Sequence, residues 1–137
     1  MKERIIGLDV GDKYVGVAVS DPLGITAQGV CTLIRKSLDN DLEDIKGLVA
    51  QYDAKKIVVG LPKNMDGSIG KQGNKAMNFG NYLNKRIPCD IIFWDERLTT
   101  KMAENILIEA KVRREKRKNI IDKLAAQHIL QSYIDSI

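Results

Sequence analysis

Arg4-Ile5-Ile6-Gly7-Leu8-Asp9-Val10, then Gly11-Asp12-Lys13, then Tyr14-Val15-Gly16-Val17-Ala18-Val19-Ser20 is the stretch that decides the fold. Two runs rich in Ile and Val, joined by three residues of turn chemistry, read as a β-hairpin over Arg4 to Val10 and Tyr14 to Ser20. One residue breaks the pattern. Asp9 lies between Leu8 and Val10 in a run that should be buried. An ionised carboxylate there costs several kcal/mol unless a cation, a hydrogen-bond network or an open cleft receives it.

Working outward, a third strand is predicted from about Ala27 to Ile34. Leu38, Leu42, Ile45, Leu48 and Val49 then recur at three- and four-residue steps, which is an amphipathic helix closing near Tyr52 with Ser37 as its N-cap. Lys56 to Leu61 is continuously apolar after its first residue, as a parallel strand covered on both faces would be, and Pro62 ends it. The polar stretch Lys63 to Gly73, with three glycines, reads as an exposed, mobile loop. A helix containing Ala76, Phe79, Gly80 and Leu83 follows, and after Pro88 comes a strand from Asp90 to Trp94. Thr99 or Thr100 is placed to cap a helix through Met102, Ile106, Leu107 and Ile108, and a last helix is predicted over Asn119 to Ile134. The expected class is α/β: a mixed five-stranded sheet, its first three strands antiparallel and its last two parallel, with helices on both faces.

The 137 residues make about one domain, so a single unit over 1–137 is expected. With 44% hydrophobic and 29% charged residues the composition is that of an ordinary globular protein, not a disordered chain. No apolar run approaches the ~20 residues that span a bilayer. No secretory leader precedes the first strand, which points to the cytoplasm and away from membranes. Cys31 and Cys89 stand far apart without metal-ligand spacing and read as small hydrophobes. A net charge of +4 and a pI near 9.1 suit a polyanionic partner. Six of the eight residues from Lys111 to Lys118 are Lys or Arg, which reads either as a nucleic-acid-binding rim or as a solvated linker between helices.

Two more acids look out of place. Asp95 and Glu96 directly follow the apolar run Ile91 to Trp94, at the strand end where α/β sheets tend to build ligand sites; turn chemistry is the plainer alternative. On the last helix, Lys123, Gln127 and Gln131 form a polar arc, while Asp122 falls on the opposite side, between Ile129 and Tyr133 and near Ala125 and Ala126. The two alanines would let that helix lie close to the sheet. An acid near a helix start also favours the macrodipole, which is the alternative for Asp122. Three acids on separate elements suit hard divalent cations such as Mg²⁺ or Mn²⁺, which take oxygen ligands and share their remaining positions with substrate phosphate. Two such ions about 3.5–4 Å apart activate water and stabilise the departing oxygen in phosphodiester hydrolysis. The only histidine, His128, reads as a packing or surface residue.

Gly7-Leu8-Asp9-Val10-Gly11, Gly60-Leu61-Pro62, Asp95-Glu96-Arg97-Leu98-Thr99-Thr100 and Asp122-Lys123-Leu124-Ala125-Ala126 together resemble the YqgF family, also called RuvX, in order and over almost the whole chain. The resemblance implies a ribonuclease H-like fold related to the RuvC Holliday-junction resolvases. It also implies a nuclease whose catalytic, metal-binding carboxylates are Asp9, Glu96 and Asp122. Local pattern leaves Asp95 or Glu96 open as the middle ligand, and the family motif favours Glu96. The implied task is maturation of the 5′ end of pre-16S rRNA in ribosome biogenesis, or Holliday-junction resolution in DNA recombination and repair.

The expected phosphate-binding residues are Lys63 and Lys71 on the Gly-rich loop, Arg97 beside the acids, and Arg113, Arg114, Lys116, Arg117 and Lys118 in the basic cluster. An rRNA precursor is the favoured partner, with branched DNA the alternative. No apolar stripe advertises a dimer interface, so a monomer is expected, and a symmetric dimer would accompany the junction reading. Two other classes compete. A sugar-kinase or actin-like ATPase would share the Gly-Leu-Asp-Val-Gly hairpin but needs two lobes. A non-catalytic nucleic-acid-binding or ribosome-assembly factor could keep the acids without turnover.

Overall fold

The structure, a computed structural model, describes residues 2–95 and 114–137, with the backbone path alone for 114–122. The hairpin forms as the sequence dictates: β1 (Arg4–Val10) pairs antiparallel with β2 (Tyr14–Ser20), and the Gly11 N–H donates to the Tyr14 carbonyl at 2.8 Å to close the turn. β3 (Ala27–Ile34) pairs antiparallel with β2. β4 (Ala54–Leu61) joins the other side of β1 in parallel, and β5 (Asp90–Asp95) joins β4 in parallel. The resulting order, β3-β2-β1-β4-β5, puts β1 at the centre. The C-terminal ends of β1, β4 and β5 therefore gather at one end of the sheet.

Strand alternation divides the core. Ile6, Leu8 and Val10 face α1 (Leu38–Tyr52) and α2 (Lys71–Asn84), where Leu42, Ile45, Ala76, Phe79 and Leu83 complete one cluster. Ile5 and its face-mates Ala18, Ala27 and Val58 meet Ala126, Ile129, Leu130, Tyr133 and Ile134 of α3 (Arg114–Ser136) in the other. Both faces of β1 and β4 are covered, which is why those strands are apolar almost throughout.

Ser37 caps α1 as expected, its Oγ accepting from the Asn40 N–H at 3.1 Å. At the other end Asp53 turns through the left-handed region at φ 51° and delivers the chain into β4 two residues earlier than the apolar run suggests. Two further boundaries differ from expectation. α2 starts at Lys71, directly after its N-cap Gly70, and takes in Gly73, which is packed and not a loop residue: it is buried, and a Cβ there would lie 2.6 Å from the Pro62 carbonyl oxygen and from Ile69. α3 already includes Arg114, five residues before the expected start at Asn119, so the basic cluster from Arg114 to Lys118 is helix and not a linker. Arg, Lys and Glu are good helix formers, and no Gly or Pro follows Lys111 to stop the chain. The capped helix expected through Met102 to Ile108 lies outside the described residues. Cys89 is buried and Cys31 half-buried, both free. Among the described residues no helix is long and apolar enough to cross a membrane.

Candidate active site

Asp9 is half-buried near the C-terminal end of the central strand. It shares its face with Ile5 and Gly7, hence with α3. Three of the positions beside it are glycines: Gly7 lies two residues before it, Gly16 pairs opposite it, and Gly60 lies one step beyond the Leu8–Val59 pair on β4.

The lack of a side chain at Gly7 lets α3 come down onto β1. A Cβ on Gly7 would lie 2.8 Å from Leu130 Cβ and 3.2 Å from the Ala126 carbonyl oxygen, so helix and strand are in backbone contact here. Ala125 and Ala126 are fully buried, as the expected close approach requires. Residue 122 is one helical turn before Ala126, toward the end of β1 that carries Asp9.

Lys123, Gln127 and Gln131 do not form a solvent arc. A Cβ on Gly29 would meet Lys123 Cγ at 2.6 Å; Gln127 Oε1 accepts from the Gly29 N–H at 3.2 Å and Gln131 Oε1 from the Ala27 N–H at 2.8 Å. The two glutamines satisfy amides of the edge strand β3, which would otherwise template further pairing. On the other side, Trp94 packs edge-on against Tyr133 with ring centroids 5.4 Å apart, and its Nε1–H donates to Ser132 Oγ at 3.0 Å. α3 is thus fastened to both flanks of β1.

Trp94 also settles the parity of β5. Ile92 and Trp94 face α3, while Ile91 and Phe93 face α2, with Phe93 lying over Gly80. Alternation puts Asp95 with Phe93, on the face opposite Asp9. Glu96, Arg97 and Arg113 lie outside the described residues. Asp122, Arg114, Lys116, Arg117 and Lys118 are all on the α3 backbone.

Lys63 is half-buried just past β4 and opens a tight turn. There the Asn64 N–H donates to the Ser68 carbonyl at 2.8 Å, and Ser68 donates to Asp66 Oδ1 from both N and Oγ. Lys71 is exposed on the first turn of α2 and not on that loop.

Two groups that sequence reading passed over contact the turn after Asp9. Arg35 donates from Nη1 to the Gly11 carbonyl at 2.9 Å and from Nε to the buried Asp41 at 3.0 Å, with its guanidinium carbon 4.9 Å from the centre of the Phe79 ring. Lys75 donates to Asp12 at 2.7 Å, and that bond, with a longer one from Gln72, holds the Asp12 carboxyl below its ordinary pKa. The available signal was slight: an Arg two residues before a helix cap.

A five-stranded sheet of order β3-β2-β1-β4-β5, with an acid near the end of its central strand and the C-terminal helix laid over it, is the ribonuclease H-like fold expected from the sequence. Comparison with solved structures agrees on the fold: RuvC of T. thermophilus, in complex with Holliday junction substrate, superposes with a TM-score of 0.61 at 11% identity, covering 98% of this chain and 95% of that one. The sequence model described as "RuvX: Holliday junction resolvase" matches residues 3–136. The chain belongs to the RuvX family. Among its relatives, a protein of Clostridium novyi (strain NT) is 51% identical over 134 residues, covering 98% of this chain and 99% of its own. One of Halothermothrix orenii is 53% identical over 132 residues, covering 96% and 94%. Both carry the name "Putative pre-16S rRNA nuclease".

Proposed function

We propose that the chain is a cytoplasmic, divalent-metal-dependent endonuclease that processes the 5′ end of pre-16S rRNA, acting as one ribonuclease H-like domain over residues 1–137. The observation that carries this reading is the setting of Asp9: an acid on the central strand, ringed by Gly7, Gly16 and Gly60, beneath a helix held at backbone contact. The names and near-complete coverage of the relatives support the choice of RNA.

Asp9, Glu96 and Asp122 would be the metal ligands. The donor set fits: carboxylate oxygens suit Mg²⁺ or Mn²⁺, and Asp95 is set aside because alternation turns it to the α2 face. When bound, such ions lower the pKa of water and stabilise the charge on the departing oxygen. The protein's own part is to hold the acids in register. α3 carries position 122 and is latched at Gln127, Gln131 and Ser132, while Arg35 contacts the turn that follows Asp9. Lys63 and Lys71, with Arg97 and the cluster Arg113, Arg114, Lys116, Arg117 and Lys118, would neutralise backbone phosphates, making binding salt-sensitive and largely independent of sequence.

A second reading, Holliday-junction resolution by a dimer, is favoured by the family's own description. A cleavage assay with Mg²⁺ or Mn²⁺ on a precursor-rRNA fragment, single-stranded RNA and a four-way DNA junction separates the two. RNA cleavage abolished by Asp9→Asn and Asp122→Asn supports the proposal. Cleavage of the junction alone moves the protein to recombination, and no cleavage under any condition returns it to the class of non-catalytic assembly factors.

A further inference from the structure

A cleft of about 550 Å³ lies on the α1/α2 face of the sheet, between the β1–β2 turn, the start of α1 and the outer side of α2. Its size is within the range of about 300–1,000 Å³ usual for small-molecule sites. Asp9 lies on the other face of the sheet, so this cleft does not take in its carboxylate. Its wall at the turn is Asp12, three residues after Asp9 and so at most about 11 Å along extended chain.

The lining combines three kinds of group. Arg35 forms a fixed plane: Phe79 lies beneath it, and Asp41 and the Gly11 carbonyl hold its donors, leaving the side chain 20% exposed. Leu38, 47% exposed, and Tyr82 supply apolar surface, and Tyr82 is itself held by a hydrogen bond to Asp39 and by the Arg86 guanidinium over its ring at 3.9 Å. Lys36, Lys75 and Asn78 supply polar ends. Asp41 is matched by Arg35 and Asp12 by Lys75, so Lys36 leaves the cleft one positive charge in excess. The Lys75–Asp12 pair is exposed and contributes little stability, so Lys75 is cheaply released to another anion.

A planar ring between a guanidinium and an apolar wall, an amide able both to donate and to accept, and lysines for an anion are together what a nucleotide requires. We propose that this cleft binds a nucleotide: its base against Arg35, Leu38 and Tyr82, its edge read by Asn78, and its phosphate on Lys36 and Lys75. The proposal extends the nuclease reading by giving an unpaired residue of the substrate strand a seat around the β1–β2 turn from the cleavage site. A free mononucleotide has the same chemistry and is the other source of the ligand.

The test is done in EDTA, so that failure of cleavage and failure of this site are separable. Isotope-labelled protein is titrated with adenosine and uridine monophosphates, and separately with a short single-stranded RNA, while amide resonances are followed. Expected are shifts confined to residues around 35–38 and 75–82, and an affinity reduced at least about tenfold in both Leu38→Asp and Lys36→Glu, surface changes whose unaltered melting shows an intact fold. If single-stranded RNA displaces the mononucleotide, the ligand is the substrate strand; if it does not, the ligand is a free nucleotide. No shifts with either probe, or shifts that survive both substitutions, overturn the proposal.

Discussion

Leu130 stands so close over Gly7 that a methyl group on Gly7 would lie 2.8 Å from its Cβ, and this contact sets the height of α3 above the central strand. Because the second obstacle is the Ala126 carbonyl, at 3.2 Å, the helix backbone itself must move to admit a side chain. Gly7→Ala should therefore destabilise by about 1–3 kcal/mol, the usual cost of overpacking. Gly47→Ala is the matched control: a Cβ there meets nothing within 4 Å in an exposed part of α1, so it should stabilise by about 0.5–1 kcal/mol. Denaturant melts of the two variants should move in opposite directions; a neutral Gly7→Ala would mean that α3 is not seated as described.

The bond from the Ala27 N–H to Gln131 spans 104 residues of sequence and closes the edge of β3. Gln131→Ala leaves that amide, in a buried residue, without its acceptor, which should cost about 1–3 kcal/mol. Hydrogen exchange should quicken at Ala27 ahead of the strands nearer the centre. Exchange unchanged at Ala27 would show that water replaces the glutamine at no cost.

Asp21 organises the turn between β2 and β3. Its Oδ1 accepts from the Thr26 N–H at 3.0 Å and the Ile25 N–H at 2.7 Å, and these bonds, Thr26 foremost, hold its carboxyl below the ordinary 3.8. A carboxyl whose pKa is depressed on folding stabilises fully above its unfolded value, and that contribution is lost as pH falls through the folded value. The urea midpoint of the wild type should exceed that of Asp21→Ala at neutral pH, and the gap should narrow below pH 3.8. A gap that widens in acid would reverse the sign of this account.

Much of the sheet was legible because its signals are local. The hairpin, β3 and the Ser37-capped α1 follow from turn residues and from periods of two and 3.6, and their limits agree with the structure. What was not legible depends on what a side chain meets. Gln127 and Gln131 look like a solvent arc, because polarity along a helix does not distinguish water from the amides of an edge strand. The basic run before Asn119 looks like a linker if read by charge, although by propensity it is good helix. Asp9 was visible as an acid in an apolar run, and its glycine neighbours Gly16 and Gly60 could have been found by matching strand parity. The side of the sheet taken by Asp95 could not, because β5 is apolar on both faces and only the contacts of Phe93 and Trp94 separate them.

The central claim is that one cation site draws on acids from three distant elements. Mn²⁺ binding followed by electron paramagnetic resonance in the wild type, Asp9→Asn, Glu96→Gln, Asp122→Asn and Asp95→Asn tests it without needing a substrate. The account predicts that Asp95→Asn binds Mn²⁺ as the wild type does, while each of the other three loses at least about tenfold in affinity, some 1.4 kcal/mol. Wild-type affinity retained in Asp9→Asn, or a loss confined to Asp95→Asn, would contradict it.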